Sequence, residues 1–114
     1  MGDLSRNFSR SEFKCRHCGL LVGPHPGLVV VLQRIRDRVA RPITIRSGYR
    51  CPTHNVAVGG AKYSRHVVGD AADIDQGIVD LSGAYAAGAV GVGTKNGWAT
   101  HVDTRPGPRR HWTY

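Results

Sequence analysis

The longest periodic pattern in the chain lies between Gly27 and Pro42. Leu28, Val31, Leu32, Ile35 and Val39 fall at i, i+3, i+4, i+7 and i+11, one stripe of a helix that packs on a core. Arg34, Asp37, Arg38 and Arg41 lie largely off that stripe, toward water, and Pro42 is expected to end the helix. Ile43-Thr44-Ile45-Arg46 alternates and is β-branched, which predicts a short strand. Pro52 to Val58 predicts a short helix with proline near its first turn, broken by Gly59-Gly60. Ala71 to Asp75 reads as a second strand and Ile78 to Ala87 as a helix, although Gly83 weakens it. Val90 to Gly93 and Trp98 to Asp103 read as two strands joined at Lys95-Asn96-Gly97, where Asn-Gly favours a tight hairpin.

Nearer the front, Ser9-Arg10-Ser11-Glu12 matches a capping box at a helix start. The tail from Thr104 to Tyr114 is rich in Pro and Arg, with Trp112 as its expected anchor. Helices and strands alternate irregularly, so the predicted class is α+β rather than a doubly wound sheet.

Size and charge bound the rest. At 114 residues the chain fits one domain, 1–114, and a monomer is the working expectation. No apolar run approaches the roughly 20 residues of a membrane-spanning helix. No apolar stretch follows Met1 to Arg6, so no signal peptide is expected. The net charge of +8 favours polyanions: nucleic acid, anionic lipid or the acidic polymers of a bacterial envelope. Charge alone does not choose among them.

The residues that carry chemistry are Ser64-Arg65-His66-Val67-Val68-Gly69-Asp70-Ala71-Ala72-Asp73, with His101-Val102-Asp103. A catalytic zinc takes three protein ligands from imidazole and carboxylate and leaves a fourth position to water. His66 and Asp73 supply two if the chain turns back between them, which Gly69 allows. His101, from a later strand, completes the set. Residues two apart on a strand point the same way, so Asp103 can stand beside the metal without binding it.

Ser64-x-His66-x-x-Gly69-x-Ala71-x-Asp73 resembles the zinc motif of the D-alanyl-D-alanine carboxypeptidases and related wall endopeptidases, the hedgehog-like metallopeptidases. Ser47-Gly48-Tyr49-Arg50 and Asn55-x-x-Val58-Gly59-Gly60-Ala61 resemble the stretch before that motif. His101-Val102-Asp103-Thr104-Arg105 with Trp112 resembles the closing motif of the small C-terminal-domain branch, and Phe13-x-Cys15 has counterparts there too. The resemblance implies a hedgehog/DD-peptidase-like fold, a small antiparallel sheet flanked by helices. It implies one catalytic zinc on His66, Asp73 and His101, and hydrolysis of a peptide bond in peptidoglycan.

In many relatives an acid stands three residues before the last ligand. Trp98 holds that place here, which makes Asp103 the candidate general base. Arg50 resembles the family arginine that reaches the substrate near the reacting carbonyl. The competing readings are a salt bridge from Asp103 to Arg105 or Arg109, and a structural ion pair for Arg50. Ser64 reads as loop support, and Asp70 and Asp75 as solvated.

Among function classes, the favoured one is a phage endolysin or virion-associated lysin. It would be made in the host cytoplasm, act on wall peptide stems after release, and be held to the anionic envelope by its charge. Terminal D-Ala-D-Ala, a stem cross-link and L-Ala-D-Glu all suit this chemistry. One rival is a hedgehog-like domain that binds zinc without catalysis. Another is a basic zinc module for nucleic acid, disfavoured because no single basic recognition helix or interleaved aromatics appear. Cys15, Cys18, Cys51 and His54 could form a closed structural zinc site. A disulfide from Cys51 to Cys15 or Cys18, or free thiols, are the alternatives, and the single catalytic zinc is the preferred count.

Overall fold

The computed structural model describes residues 2–62 and 64–114; Met1 and Tyr63 lie outside it. A 3-10 turn at Arg10–Phe13 comes first, and the Glu12 carboxylate accepts from the Ser9 N–H at 2.7 Å, as the capping pattern anticipates. Helix α1 (Pro26–Val39) follows, with Leu28, Val31, Leu32 and Ile35 buried and Val39 packed against the core. The helix stops before Pro42. Ala40 takes a left-handed conformation, φ 54°, and its N–H caps the Arg36 carbonyl.

The remaining elements are β1 (Ile45–Ser47), α2 (Pro52–Ala57), β2 (Ala71–Ile74), α3 (Leu81–Ala86), β3 (Gly91–Lys95), β4 (Trp98–Asp103) and β5 (Arg110–Thr113). Helix α3 starts later than Ile78 because Asp80 caps it, accepting from the Gly83 N–H at 2.8 Å. The hairpin between β3 and β4 turns on Asn96 and Gly97, both with positive φ, as a two-residue turn of this twist requires.

The sheet runs β1-β2-β4-β3-β5. It is α+β as expected but not wholly antiparallel, because β5 runs parallel to β3. The tail after β4 does not trail off. It crosses to the outer edge of β3 and pairs there, Gly93 opposite Trp112. Periodicity gave no warning of this strand, since Arg110-His111-Trp112-Thr113 is too polar to alternate.

Strand β4 sits in the middle and has two unlike faces. Ala99 and Val102 are fully buried in the cluster formed with Leu28, Leu32, Ile35, Ile74 and Val92. His101 and Asp103 are also buried, and they belong to the polar side of the molecule. Opposite them, β3 carries Gly93 against His101 and Gly91 against Asp103. A Cβ on Gly91 would lie 2.3 Å from the Asp103 carboxylate, and one on Gly93 2.6 Å from the Trp112 indole nitrogen. The two glycines leave the space that these side chains fill.

Candidate metal centre

The three expected ligands come from one loop and two paired strands. His66 stands in the loop before β2. Gly69 turns that loop with φ 79°, and a Cβ there would meet the Val22 carbonyl oxygen at 2.3 Å, so only glycine fits. Asp73 and His101 are paired across β2 and β4. The three converge: His66 Nε2 lies 3.1 Å and His101 Nδ1 3.2 Å from Asp73 Oδ1. Ligands about 2.05 Å from a tetrahedral ion would stand about 3.3 Å apart.

The proton arrangement sharpens the fit. His66 Nδ1–H donates to the Gly48 carbonyl at 2.8 Å, and His101 Nε2–H donates to Asp103 Oδ2 at 2.7 Å. Each neutral ring therefore has its one N–H engaged behind it and turns a lone pair toward Asp73 Oδ1. Two lone pairs facing a carboxylate oxygen ask for a cation. Without one, a proton must substitute. Burial alone would lower the His101 pKa, but its bonds to Asp103 and Asp73 outweigh that and raise it. Burial likewise would raise Asp73, yet bonds from His101 and His66 hold it well below the usual carboxylate range.

Around this centre opens a cavity of about 850 Å³. Arg46, Arg50, Arg65, Lys95 and Arg105 line it with His66, Asp73, His101, Trp112 and Tyr114. Arg50 donates from Nη2 to Asp73 Oδ2 at 2.7 Å and from Nε to Ser47 Oγ at 3.1 Å. It orients the carboxylate so that Oδ1 faces the imidazoles, and a guanidinium still has further N–H groups for a ligand. The structural ion pair and the place at the cavity, set as alternatives above, are both observed. Ser64 Oγ accepts from the His66 N–H at 3.2 Å, the loop support expected of it.

Asp103 stands behind His101. It is fully buried and does not line the cavity. Beyond His101 it accepts from Arg105 Nε at 2.9 Å and Nη2 at 2.7 Å, and from the Gly91 N–H at 3.1 Å. A carboxylate so occupied, with these bonds outweighing burial to press its pKa well down, holds the Nε2–H of His101. The Arg105 salt bridge is the reading that the geometry favours. Asp70 departs from expectation, being buried rather than solvated, with Arg65 donating to it from Nε at 3.0 Å and Nη2 at 2.5 Å. Asp75 pairs with Arg46 at 2.7 Å.

Comparison with known proteins decides the family. The peptidase M15 family model matches residues 6–103. The chain belongs to the peptidase M15 family. A zinc D-Ala-D-Ala carboxypeptidase of Streptomyces albus G is 47% identical over 47 residues, 40% of this chain and 18% of that protein. The chain thus matches less than a fifth of that relative's length.

The structure adds contacts to two tryptophans of this M15 domain. Trp112 is more than a tail anchor: its ring centroid lies 4.9 Å from that of His101 and 5.2 Å from the Arg105 guanidinium carbon. Gly91 and Gly93, every second residue opposite His101-Val102-Asp103, were the available signal for it. Trp98, at the place of the family acid, does not line the cavity, so among the described residues Asp73 is the sole carboxylate there.

The cysteines form a second cluster. Cys15, Cys18 and Cys51 are free thiols whose sulfurs lie within 4.8 Å of one another. Burial pushes Cys15 up, but N–H groups of Cys51, Cys18 and His17 outweigh it and bring the thiol down to about 6.

Proposed function

We propose that this domain is a zinc-dependent peptidoglycan peptidase that hydrolyses a peptide bond of the murein stem or cross-link. The observation that carries the reading is the convergence of two tautomer-locked imidazoles and Asp73 Oδ1 at a cation-lined cavity. Bound zinc would lower the pKa of its water to about 7 and polarise a scissile carbonyl. His66, Asp73 and His101 are the residues that would hold it.

The chain's own contribution is position and charge. Arg46, Arg50, Arg65 and Arg105 each pair with an aspartate, and their remaining N–H groups together with Lys95 suit a peptide with free carboxylates, such as a wall stem ending in D-Ala. The Arg50 N–H groups not given to Asp73, Ser47 and Asn55 can bind a substrate carboxylate or a developing oxyanion. Trp112 offers an indole face beside His101 for the substrate to lie against. Asp103, bonded behind His101, would keep that ring's other nitrogen turned toward the metal position.

The relative's printed activity makes D-Ala-D-Ala the first bond to test. We also assign a hedgehog/DD-peptidase-like topology to the sheet and helices. The setting we propose is a phage endolysin or virion-associated lysin, kept on the anionic envelope by the +8 charge.

A second reading, a zinc-binding domain without hydrolysis, draws on the lack of another carboxylate among the described lining residues. Digestion of purified peptidoglycan, with mass spectrometry of the released muropeptides, separates them. Cleavage by wild type and none by Asp73→Ala supports the peptidase and identifies the bond. Intact stems after exposure to zinc-loaded wild type would overturn it.

A further inference from the structure

A second constellation of soft ligands lies apart from the cavity. Cys15 and Cys18 flank a tight knuckle that closes on itself, Cys15 N–H donating to the Leu20 carbonyl at 2.8 Å and Gly19 N–H to the Cys15 carbonyl at 2.9 Å. Cys51 arrives from the other side, as the residue that caps α2. The three sulfurs are mutually within 4.8 Å, and none is oxidised to a disulfide. The backbone already serves these sulfurs as it serves metal thiolates. The Cys51 N–H points at Cys15 Sγ at 3.4 Å, and the His54 N–H at Cys51 Sγ at 3.4 Å. Such N–H···S contacts favour the deprotonated, ligating form of sulfur.

The nearest imidazole nitrogen to the sulfurs belongs to His17, which meets Cys51 but does not yet stand within 4.8 Å of all three. His17 Nδ1 lies 3.6 Å from Cys51 Sγ. Tetrahedral coordination at ordinary zinc–sulfur and zinc–nitrogen lengths would place such a pair about 3.5 Å apart. His54, the imidazole that spacing favours, meets the cluster through its backbone N–H, and its ring stacks on His17 at 5.9 Å between centroids.

We propose that Cys15, Cys18 and Cys51 bind a second zinc ion in a structural site, with the His17 ring drawn in to close it as fourth ligand. Its ligands tie the N-terminal knuckle to the start of α2. The knuckle is further docked where Arg16 Nη2 donates to the Ile45 carbonyl at 2.7 Å and Tyr49 N–H to the Phe13 carbonyl at 2.8 Å. Arg50, which orients Asp73, is the residue immediately before Cys51. The clip therefore fixes the backbone on which the cavity's arginine stands. Closed four-ligand coordination leaves no water to activate, so the ion holds structure and does no hydrolysis. This inference does not rest on the peptidase reading.

The test counts metal in the intact protein. Wild type purified with reductant and zinc should carry two zinc ions per chain, His66→Ala one, and Cys18→Ser one. Cobalt substitution of His66→Ala should give a near-ultraviolet thiolate-to-cobalt charge-transfer band, and this needs no change at the cluster. Chelation should lower the melting temperature of that same variant. His17→Ala should alter the cobalt spectrum and His54→Ala should not. One zinc per chain that His66→Ala removes, no charge-transfer band, or an intact mass two hydrogens short from a disulfide would each overturn the site. A spectrum moved by His54→Ala and not by His17→Ala would overturn the fourth ligand.

Discussion

The two imidazoles of the metal centre are held in opposite ways, and the contrast says where the centre can be broken. His66 stands on a loop, and what locks its ring is main chain: the Gly48 carbonyl behind it and the Gly69 turn after it. His101 stands on a central strand, and what locks its ring is a chain of side chains, Asp103 and then Arg105. Main-chain support has no side chain to substitute, so it can be lost only by deforming the backbone. Side-chain support is open to single substitutions. The loop should fail all at once and the strand by degrees.

The largest effect belongs to the ligands themselves. His66→Ala or Asp73→Ala should reduce peptidoglycan cleavage to background and remove one zinc per chain, read by muropeptide release and metal analysis. Breaking the strand's support should cost less. Asp103→Asn keeps the shape but weakens the pull on His101, and zinc affinity at this centre should fall roughly 10–100-fold. If Asp103 were instead the base, this variant would keep its zinc affinity and lose turnover alone, so competition with a chelator distinguishes the two roles.

Deforming the loop tests the other half. Gly69→Ala must place a Cβ against the Val22 carbonyl at positive φ, a strain on the order of 1–3 kcal/mol. Its melting temperature should drop and His66 should leave the centre, so zinc and stability are lost together. A melting curve equal to wild type would contradict the main-chain account.

Acid acts on the centre through the ring of His101. In the metal-free protein the folded pKa of His101 is raised. The stabilisation from its protonated ring is therefore complete below the unfolded value of about 6.5 and fades as pH climbs through the folded one. Zinc needs the neutral ring, so its affinity should weaken as pH falls below about 7 while the metal-free fold gains. The smallest expected effect is that of salt. Cleavage of whole walls should decline from low to high ionic strength as the basic surface is screened, and zinc affinity should hold.

The same contrast explains what could be read from residue order. The core face of α1 was legible because Leu28, Val31, Leu32 and Ile35 repeat at helical spacing, and burial enforces that spacing. His66, Asp73 and His101 were legible by their pattern and by resemblance, since ligands from three segments leave no periodicity. Asp103 was correctly placed on the side of His101. Its bonds to Arg105 and Gly91 were not legible, because two residues apart on a strand says which way a side chain points, not what lies beyond it. Gly91 opens room behind and Arg105 reaches back from the next turn, and both facts are tertiary. Strand β5 was missed because it gains pairing from β3 and from the indole of Trp112 on His101.

A crystal of the zinc-loaded protein measured at the zinc absorption edge tests the central claim most directly. One anomalous peak should lie about 2.0–2.2 Å from His66 Nε2, Asp73 Oδ1 and His101 Nδ1, with His101 Nε2 still on Asp103. No peak between those atoms, or a flipped His101 binding through Nε2 with Asp103 released toward the cavity, would contradict it.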